Sequence, residues 1–338
     1  MPPTRSPFDD VEFPPFSALP FKPGDPPGAI WGFYESISGA EKPDELGSLN
    51  LLTPVRIHRA SREEIQEGRV VSLNWPLQKP TPAYKRKTFE HKVFKRPGGK
   101  VDDEIYMNTQ SGSQWDSFRH WGFYKTGQYY NGLAESDIVN AQGEGVPISV
   151  DKPLRNGIHT FQGKIVGRGI LLDFFSYAQS QGINYAPEQQ HLVTAEDLDA
   201  CAKAQGVEFR QGDLLFVRMG YVHWYENATH EERAEVVSGQ KRAVGVRQTE
   251  AEVEWFWNHH FAAVASDTPA FEARPSIQEW NLHDYFLALW GTPIGELFDL
   301  EELSRVCKEL NRYSFFVTSS PLNIVNGIAS PPNAMVIF

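Results

Sequence analysis

The chain has 338 residues, of which 22% are charged, and its formal net charge is −11. That balance argues against a nucleic-acid partner, because a phosphate backbone is gripped by clustered Lys and Arg, and no apolar run approaches the ~20 residues of a membrane span. Cys201 and Cys307 lie in no Cys-x-x-Cys spacing and read as small core residues in a reducing compartment.

Residues 1–29 are rich in proline and have neither a helical nor a strand period. They also lack the apolar stretch of a secretory signal, so a cytoplasmic protein is expected. Phe8, Phe13, Phe16 and Phe21 would each cost about 1.5–3 kcal/mol if left in water. An ordered arm wrapping the body is therefore expected, with a disordered tail as the rival reading. Such an arm could also reach a second subunit, making a homo-oligomer. Residues 30–338 are read as a single catalytic domain.

After Ile30-Trp31-Gly32, the run Asp44–Pro54 is punctuated by Gly47 and Pro54. Ser61–Gly68 reads as a short helix with a Ser/Glu capping box and a glycine stop. Arg69–Leu77 alternates apolar and polar residues and reads as a strand ending near Pro76. The basic stretch Lys85-Arg86-Lys87, with Lys92, Lys95, Arg96 and Lys100, is broken by acids and by the turn Pro97-Gly98-Gly99, and reads as a solvated loop.

The densest polar run is Tyr106–Tyr124. In it Asp116 and His120 stand four residues apart, a spacing that puts both on one face of a helical turn. Such a pair can share a metal, a proton or a water molecule. A surface hydrogen bond is the plainer reading.

Beyond it, Gln128–Gly132 reads as a turn with Gly132 at positive φ. The pair Gly167-Arg-Gly169 has no third glycine and leads into a strand, so it cannot aim helix N-terminal amides at a phosphate. Ile170-Leu-Leu reads as buried strand. Thr194 to Asp197 opens a helix that Gly206 ends, and the strand Asp213–Arg218 follows. A second such unit begins at Thr249, whose helix turns Val253, Phe256 and Trp257 inward, and continues into the strand Phe261–Ala265. Alternating strand and helix imply an α/β arrangement with polar loops gathered at strand ends. His283 heads the apolar helix Leu282–Trp290, and Glu296 follows a glycine-containing turn. On their own these two read as a capping histidine and a solvated acid. The strand Tyr313–Val317, the segment Pro321–Gly327 and Asn333–Phe338 close the chain.

The run Gln110-Ser-Gly-Ser-Gln114-Trp-Asp116-Ser-Phe-Arg-His120 resembles the His-x-Gly-Thr-His-x-Asp-x-x-x-His signature of the kynurenine formamidase-like family, also called the putative cyclase family. Gly112, Ser113, Asp116 and His120 stand where that pattern wants them, while Gln110 and Gln114 replace two histidines. Trp31-Gly32, Asp44–Pro54, Tyr130-Asn-Gly132, Gly163–Asp173 and the C-terminal segments resemble the family in the same order. The resemblance implies a swivelling β/β/α-type fold, a mixed central sheet flanked by helices. It also implies a metal-dependent hydrolase that opens a C–N or C–O bond of a cyclic amide, formamide or lactone-like small molecule.

His283 and Glu296 match family residues that reach the metal. With two histidines replaced by glutamine, a weaker donor, one divalent ion is expected instead of two, Mn²⁺ or Zn²⁺, on Asp116, His283 and Glu296. His120 stands close enough to act as ligand or as base, with the role of proton shuttle expected, and Gln110 and Gln114 orient the substrate carbonyl. Trp31, Trp115 and Phe123 either line an aromatic pocket or are ordinary core. Two other readings stay open: a metal-free small-molecule-binding protein, and an acid–base dehydratase or cyclase on the same fold.

Overall fold

The computed structural model describes residues 2–147, 151, 153–239 and 241–338. Among these the strands are, in chain order, β1 (Val70–Ser72), β2 (Glu90–Arg96), β3 (Lys100–Tyr106), β4 (Gln114–Asp116), β5 (Ile165–Leu172), β6 (Leu192–Val193), β7 (Leu214–Val217), β8 (Gly245–Val246), β9 (Ala263–Ser266), β10 (Ile294–Glu296), β11 (Ser314–Ser319), β12 (Ala329–Ser330) and β13 (Ala334–Ile337). Nine of them form one mixed sheet in the order β1-β13-β11-β5-β7-β9-β10-β4-β12.

The centre of the sheet is the parallel set β5, β7, β9 and β10. Its strands β7 and β9 are buried at every position, which is why Leu214–Val217 and Ala263–Val264 read as continuous apolar runs instead of alternating. Antiparallel strands extend both sides: β11, β13 and β1 on one, β4 and β12 on the other. The helix Ala195–Gln205 opens on the reciprocal Thr194/Asp197 box and closes on Gly206 at φ 66°. Glu250–His259 buries Val253, Phe256 and Trp257 as the sequence indicates. Cys201 and Cys307 are buried and unpaired. No helix of the described residues is long and apolar enough to cross a membrane.

Two local expectations are corrected. Ser61 does not start a helix. The helix is Pro54–Glu64, capped by the Thr53 side chain on the Arg56 amide, and Pro54 occupies the first position, where its missing N–H costs nothing. Glu64 is buried on Arg168 instead of closing a capping box. The basic stretch is also not a plain loop. β2 and β3 pair into a two-stranded ribbon around the Pro97-Gly98-Gly99 turn, exposed on both faces, and Arg86, just before it, turns inward.

Residues 2–29 lie against the body. The Phe13 ring stacks on His260 at 4.0 Å, the Trp257 indole donates to the Pro14 carbonyl at 2.9 Å, and Arg56 holds the Phe8 and Asp9 carbonyls.

Candidate metal centre

β4 is only three residues long, yet all three are buried. Strand alternation puts Gln114 and Asp116 on one face and Trp115 on the other. The antiparallel register with β10 sets Glu296 opposite Gln114 and Ile294 opposite Asp116. Side chains at directly opposed positions share a face, and the Gln114 amide donates to Glu296 Oε2 at 3.0 Å while lying 3.4 Å from each Asp116 oxygen. Gly295, opposite Trp115, leaves the other face free for packing: a Cβ there would sit 2.6 Å from the Phe298 ring and 2.7 Å from the Ala265 side chain.

Asp116 and His120 do meet, but not on a helix. Asp116 ends a strand, and a tight turn, with His120 N–H donating to the Ser117 carbonyl at 3.0 Å, folds the chain back. His120 Nε2 comes to 3.9 Å from Asp116 Oδ2. His283 arrives from far along the chain, at the head of a π-helical segment, Asp284–Trp290; such segments are rare and often found at functional sites. Its Nδ1 lies 2.8 Å from Glu272 Oε2 and its Nε2 3.3 Å from Glu296 Oε1.

Among the described residues, the group able to hold an ion is Asp116, His120 and His283, whose ligand atoms all lie within 4.8 Å of one another. This trio differs from the set Asp116, His283 and Glu296 expected from sequence. Glu296 stands just outside it, hydrogen-bonded to His283 and Gln114.

The electrostatics are those of a buried, underneutralised pocket. Burial, then the nearby Glu296, pushes the Asp116 carboxyl up to about 8. Burial, then His283, brings His120 down to about 3. Burial also works against protonation of His283, but Glu272 and Glu296 outweigh it and raise that group to about 10. Glu272 is likewise opposed by burial yet held down at about 2 by His283 and Arg274.

The donor set fits a single divalent ion. Imidazole and carboxylate suit Zn²⁺ or Mn²⁺, a dication would offset the charge repulsion between Asp116 and Glu296, and Gln114 Oε1 is a buried acceptor with no partner of its own. His283 has the form of a metal-ligating histidine, with the far nitrogen on a carboxylate and the near one aimed into the centre.

The other sequence candidates divide. Gln110 reaches the site, with Nε2 3.0 Å from His120 Nδ1 and Oε1 accepting from Arg86 at 2.8 Å. Trp31, Trp115 and Phe123 do not line it. The Trp31 indole donates to the Ala288 carbonyl and braces the π-helix. Trp115 packs on Phe298 and donates to Ser319 Oγ on the opposite face of β4. Phe123 is buried in the main core. The aromatic at the site is Trp121, whose ring lies 4.9 Å from His283 and 5.9 Å from His120. Sequence reasoning missed it, although it adjoins His120, and also missed Glu272, Arg86, Arg274 and Lys241, which carry no spacing signal.

The fold and the buried Asp/His centre define a mixed α/β protein of cyclase type. A crystal structure of a novel cyclase superposes with a TM-score of 0.76 at 28% identity, covering 87% of this chain and 96% of that one. The sequence model described as "Putative cyclase" matches residues 71–273, more than half of the chain, and the protein belongs to that family. Isatin hydrolase A from Ralstonia solanacearum shares the fold at 14% identity and TM-score 0.53, covering 79% of this chain and 91% of its own. So does an isatin hydrolase bound to the product analogue thioisatinate, at 13% identity and TM-score 0.53, covering 82% and 94%. No curated protein matches the sequence.

Proposed function

We propose that this protein is a metal-dependent hydrolase that adds water across a C–N or C–O bond of a cyclic amide, formamide or lactone-like small molecule. The observation that carries the reading is the convergence of Asp116 and His283, with Glu296 beside them, around one buried point that His120 also faces. Isatin hydrolases on the same fold fit a small cyclic amide substrate. A divalent ion, Mn²⁺ or Zn²⁺, bound there would polarise the carbonyl and lower the pKa of water from about 15.7 toward ~7.

The protein's own groups divide the remaining work. Of the trio Asp116, His120 and His283, Asp116 and His283 would hold the ion, with Glu296, 3.3 Å from His283 Nε2, turning in as the third ligand and Glu272 fixing the ring of His283. Arg86 claims the Gln110 carbonyl oxygen, so the Gln110 amide NH₂ faces His120 Nδ1, which must accept. The proton of neutral His120 then sits on Nε2 and points into the centre. In that form His120 donates to the leaving nitrogen or oxygen as negative charge develops there, and it is poorly suited to ligate through the same atom. With an ion on Asp116 and Glu296, the Gln114 amide would be released from those carboxylates to face the substrate carbonyl. Trp121 supplies a flat apolar wall.

The test is His120→Ala. Metal content should stay close to wild type while hydrolysis of isatin or a related lactam falls by roughly 10²–10³, the usual loss for one aimed donor. Equal loss of metal would make His120 a ligand and overturn the assignment.

A second reading has one observation in its favour. The Gln114 amide already bridges Asp116 and Glu296, so the carboxylates are partly satisfied without an ion. A metal-free binding protein would then show no bound ion on elemental analysis and no response to added Mn²⁺ or Zn²⁺.

A further inference from the structure

Two cations beside the centre make no salt bridge among the described residues. Arg168, Arg218, Arg247 and Arg274 each rest on a buried carboxylate. Arg86 and Lys241 do not. Arg86 ends a turn closed by its own N–H on the Ala83 carbonyl at 2.7 Å. Within that turn two consecutive non-glycine residues, Tyr84 and Lys85, take left-handed φ values of 47° and 66°.

A side chain in this region costs on the order of 1–3 kcal/mol, and such strain persists where the surroundings over-determine it, often at functional sites. Here the surroundings do so. The Tyr84 hydroxyl is bonded to that of Tyr221, and the Arg86 guanidinium is bonded to Gln110, which backs His120. Lys241 arrives from a separate segment and places its Nζ 5.8 Å from the centroid of the same Tyr84 ring. The strained turn thus carries both Arg86 and the Tyr84 ring over which Lys241 lies.

Arg86 reaches the centre through Gln110, which touches His120 Nδ1 at 3.0 Å, and Lys241 joins it through Tyr84. Burial works against the Lys241 charge and lowers its pKa, with Glu296 the foremost opposing influence. The acids of the centre are Asp116, Glu296 and Glu272, the last already matched by Arg274 and His283. An ammonium and a guanidinium that make no ion pair among the described residues, both partly buried in a chain whose net charge is −11, make a receptor for an anion: the guanidinium forks onto a carboxylate and the ammonium adds a point charge.

We propose that Arg86 and Lys241 form a carboxylate subsite beside the Asp116/His120/His283 centre, so that the substrate, or the acid released from it, is held by an anionic group. The link to turnover rests on the hydrolase reading. Water adds its OH to the acyl carbon, the C–N or C–O bond breaks, the leaving atom takes the proton, and the new acid ionises to a carboxylate that this subsite can retain.

The test uses benzoate and benzamide, which share a ring and differ in charge, with binding followed by tryptophan quenching and calorimetry on the full chain, with and without EDTA. Wild type should bind benzoate about tenfold or more tighter than benzamide, the scale of one charge-assisted hydrogen bond. That preference should survive EDTA and weaken as salt rises. Lys241→Met and Arg86→Met should each erase most of it, and Lys241→Arg should restore part. Unchanged thermal unfolding shows that the variants are folded. Equal binding of the two probes by wild type, wild-type preference in both variants, or a preference abolished by EDTA would overturn the subsite. Metal content and hydrolysis report separately on the hydrolase reading, so the two failures are distinguishable.

Discussion

At the scale of single residues, the centre depends on groups that touch no substrate. His283 could face either way, and Glu272 decides. With Nδ1–H donated to a carboxylate 2.8 Å away, Nε2 is left for the centre. Glu272→Gln keeps the shape and a hydrogen bond but removes the charge. Metal affinity should fall about 10–100-fold, the usual effect of losing such a carboxylate, with little change in thermal stability. Titrating the chelated protein with Zn²⁺ or Mn²⁺ measures it, and wild-type affinity in the variant would remove Glu272 from the account.

Sequence carried part of this centre. Asp116, His120, His283 and Glu296 were legible because a family pattern singles them out, and all four come together. Glu272, Arg86 and Lys241 were not, because an isolated charged residue shows no period and its partner lies elsewhere in the chain. Trp121 was hidden for the opposite reason: in a run with Trp115, Phe118 and Phe123, nothing local says which ring faces the cavity.

At the scale of elements, β4 and β10 position the centre through their register. Gly295 is the residue that lets them approach, since a Cβ there would also stand 3.0 Å from the Trp115 ring. Gly295→Ala should destabilise the protein by about 1–3 kcal/mol through overpacking and weaken metal binding by shifting Glu296. Denaturant unfolding and metal titration together check this. Loss of stability with metal affinity intact would show that the register does not transmit to the site.

The longer elements were readable in advance: the buried run Ile170–Leu172 and the helices Ala195–Gln205 and Glu250–His259 announce themselves by apolar runs, caps and glycine stops. β4 did not, because three residues are too few to show a period. The four-residue spacing of Asp116 and His120 suggested a helical turn where a strand and a tight turn achieve the same approach. The ribbon β2–β3 was obscured by its charge: every position but one is exposed, so no alternation of apolar and polar residues marks it.

At the scale of the whole molecule, the N-terminal arm is tied to the body through His260. Burial, then the adjacent His259, lowers the His260 pKa to about 4, and Phe13 stacks on the neutral ring. A histidine depressed from its usual value near 6.5 is protonated first in the unfolded chain. Its contribution is therefore complete above about pH 6.5 and is lost as pH falls toward 4, at most about 3 kcal/mol for a shift of this size. His260→Asn, which tolerates the left-handed φ of 50° at this position, should flatten the fall of stability between those pH values relative to wild type. Parallel curves would mean that the arm does not depend on this ring.

The centre would hold one divalent ion, shared by side chains that the fold gathers from β4, the head of the π-helix and β10. Elemental analysis and metal titration of wild type beside Asp116→Ala address it most directly. About one Zn²⁺ or Mn²⁺ per chain in wild type, lost on removal of the Asp116 carboxylate, is the expected result. A wild-type protein that stays free of metal when either ion is supplied in excess would contradict it.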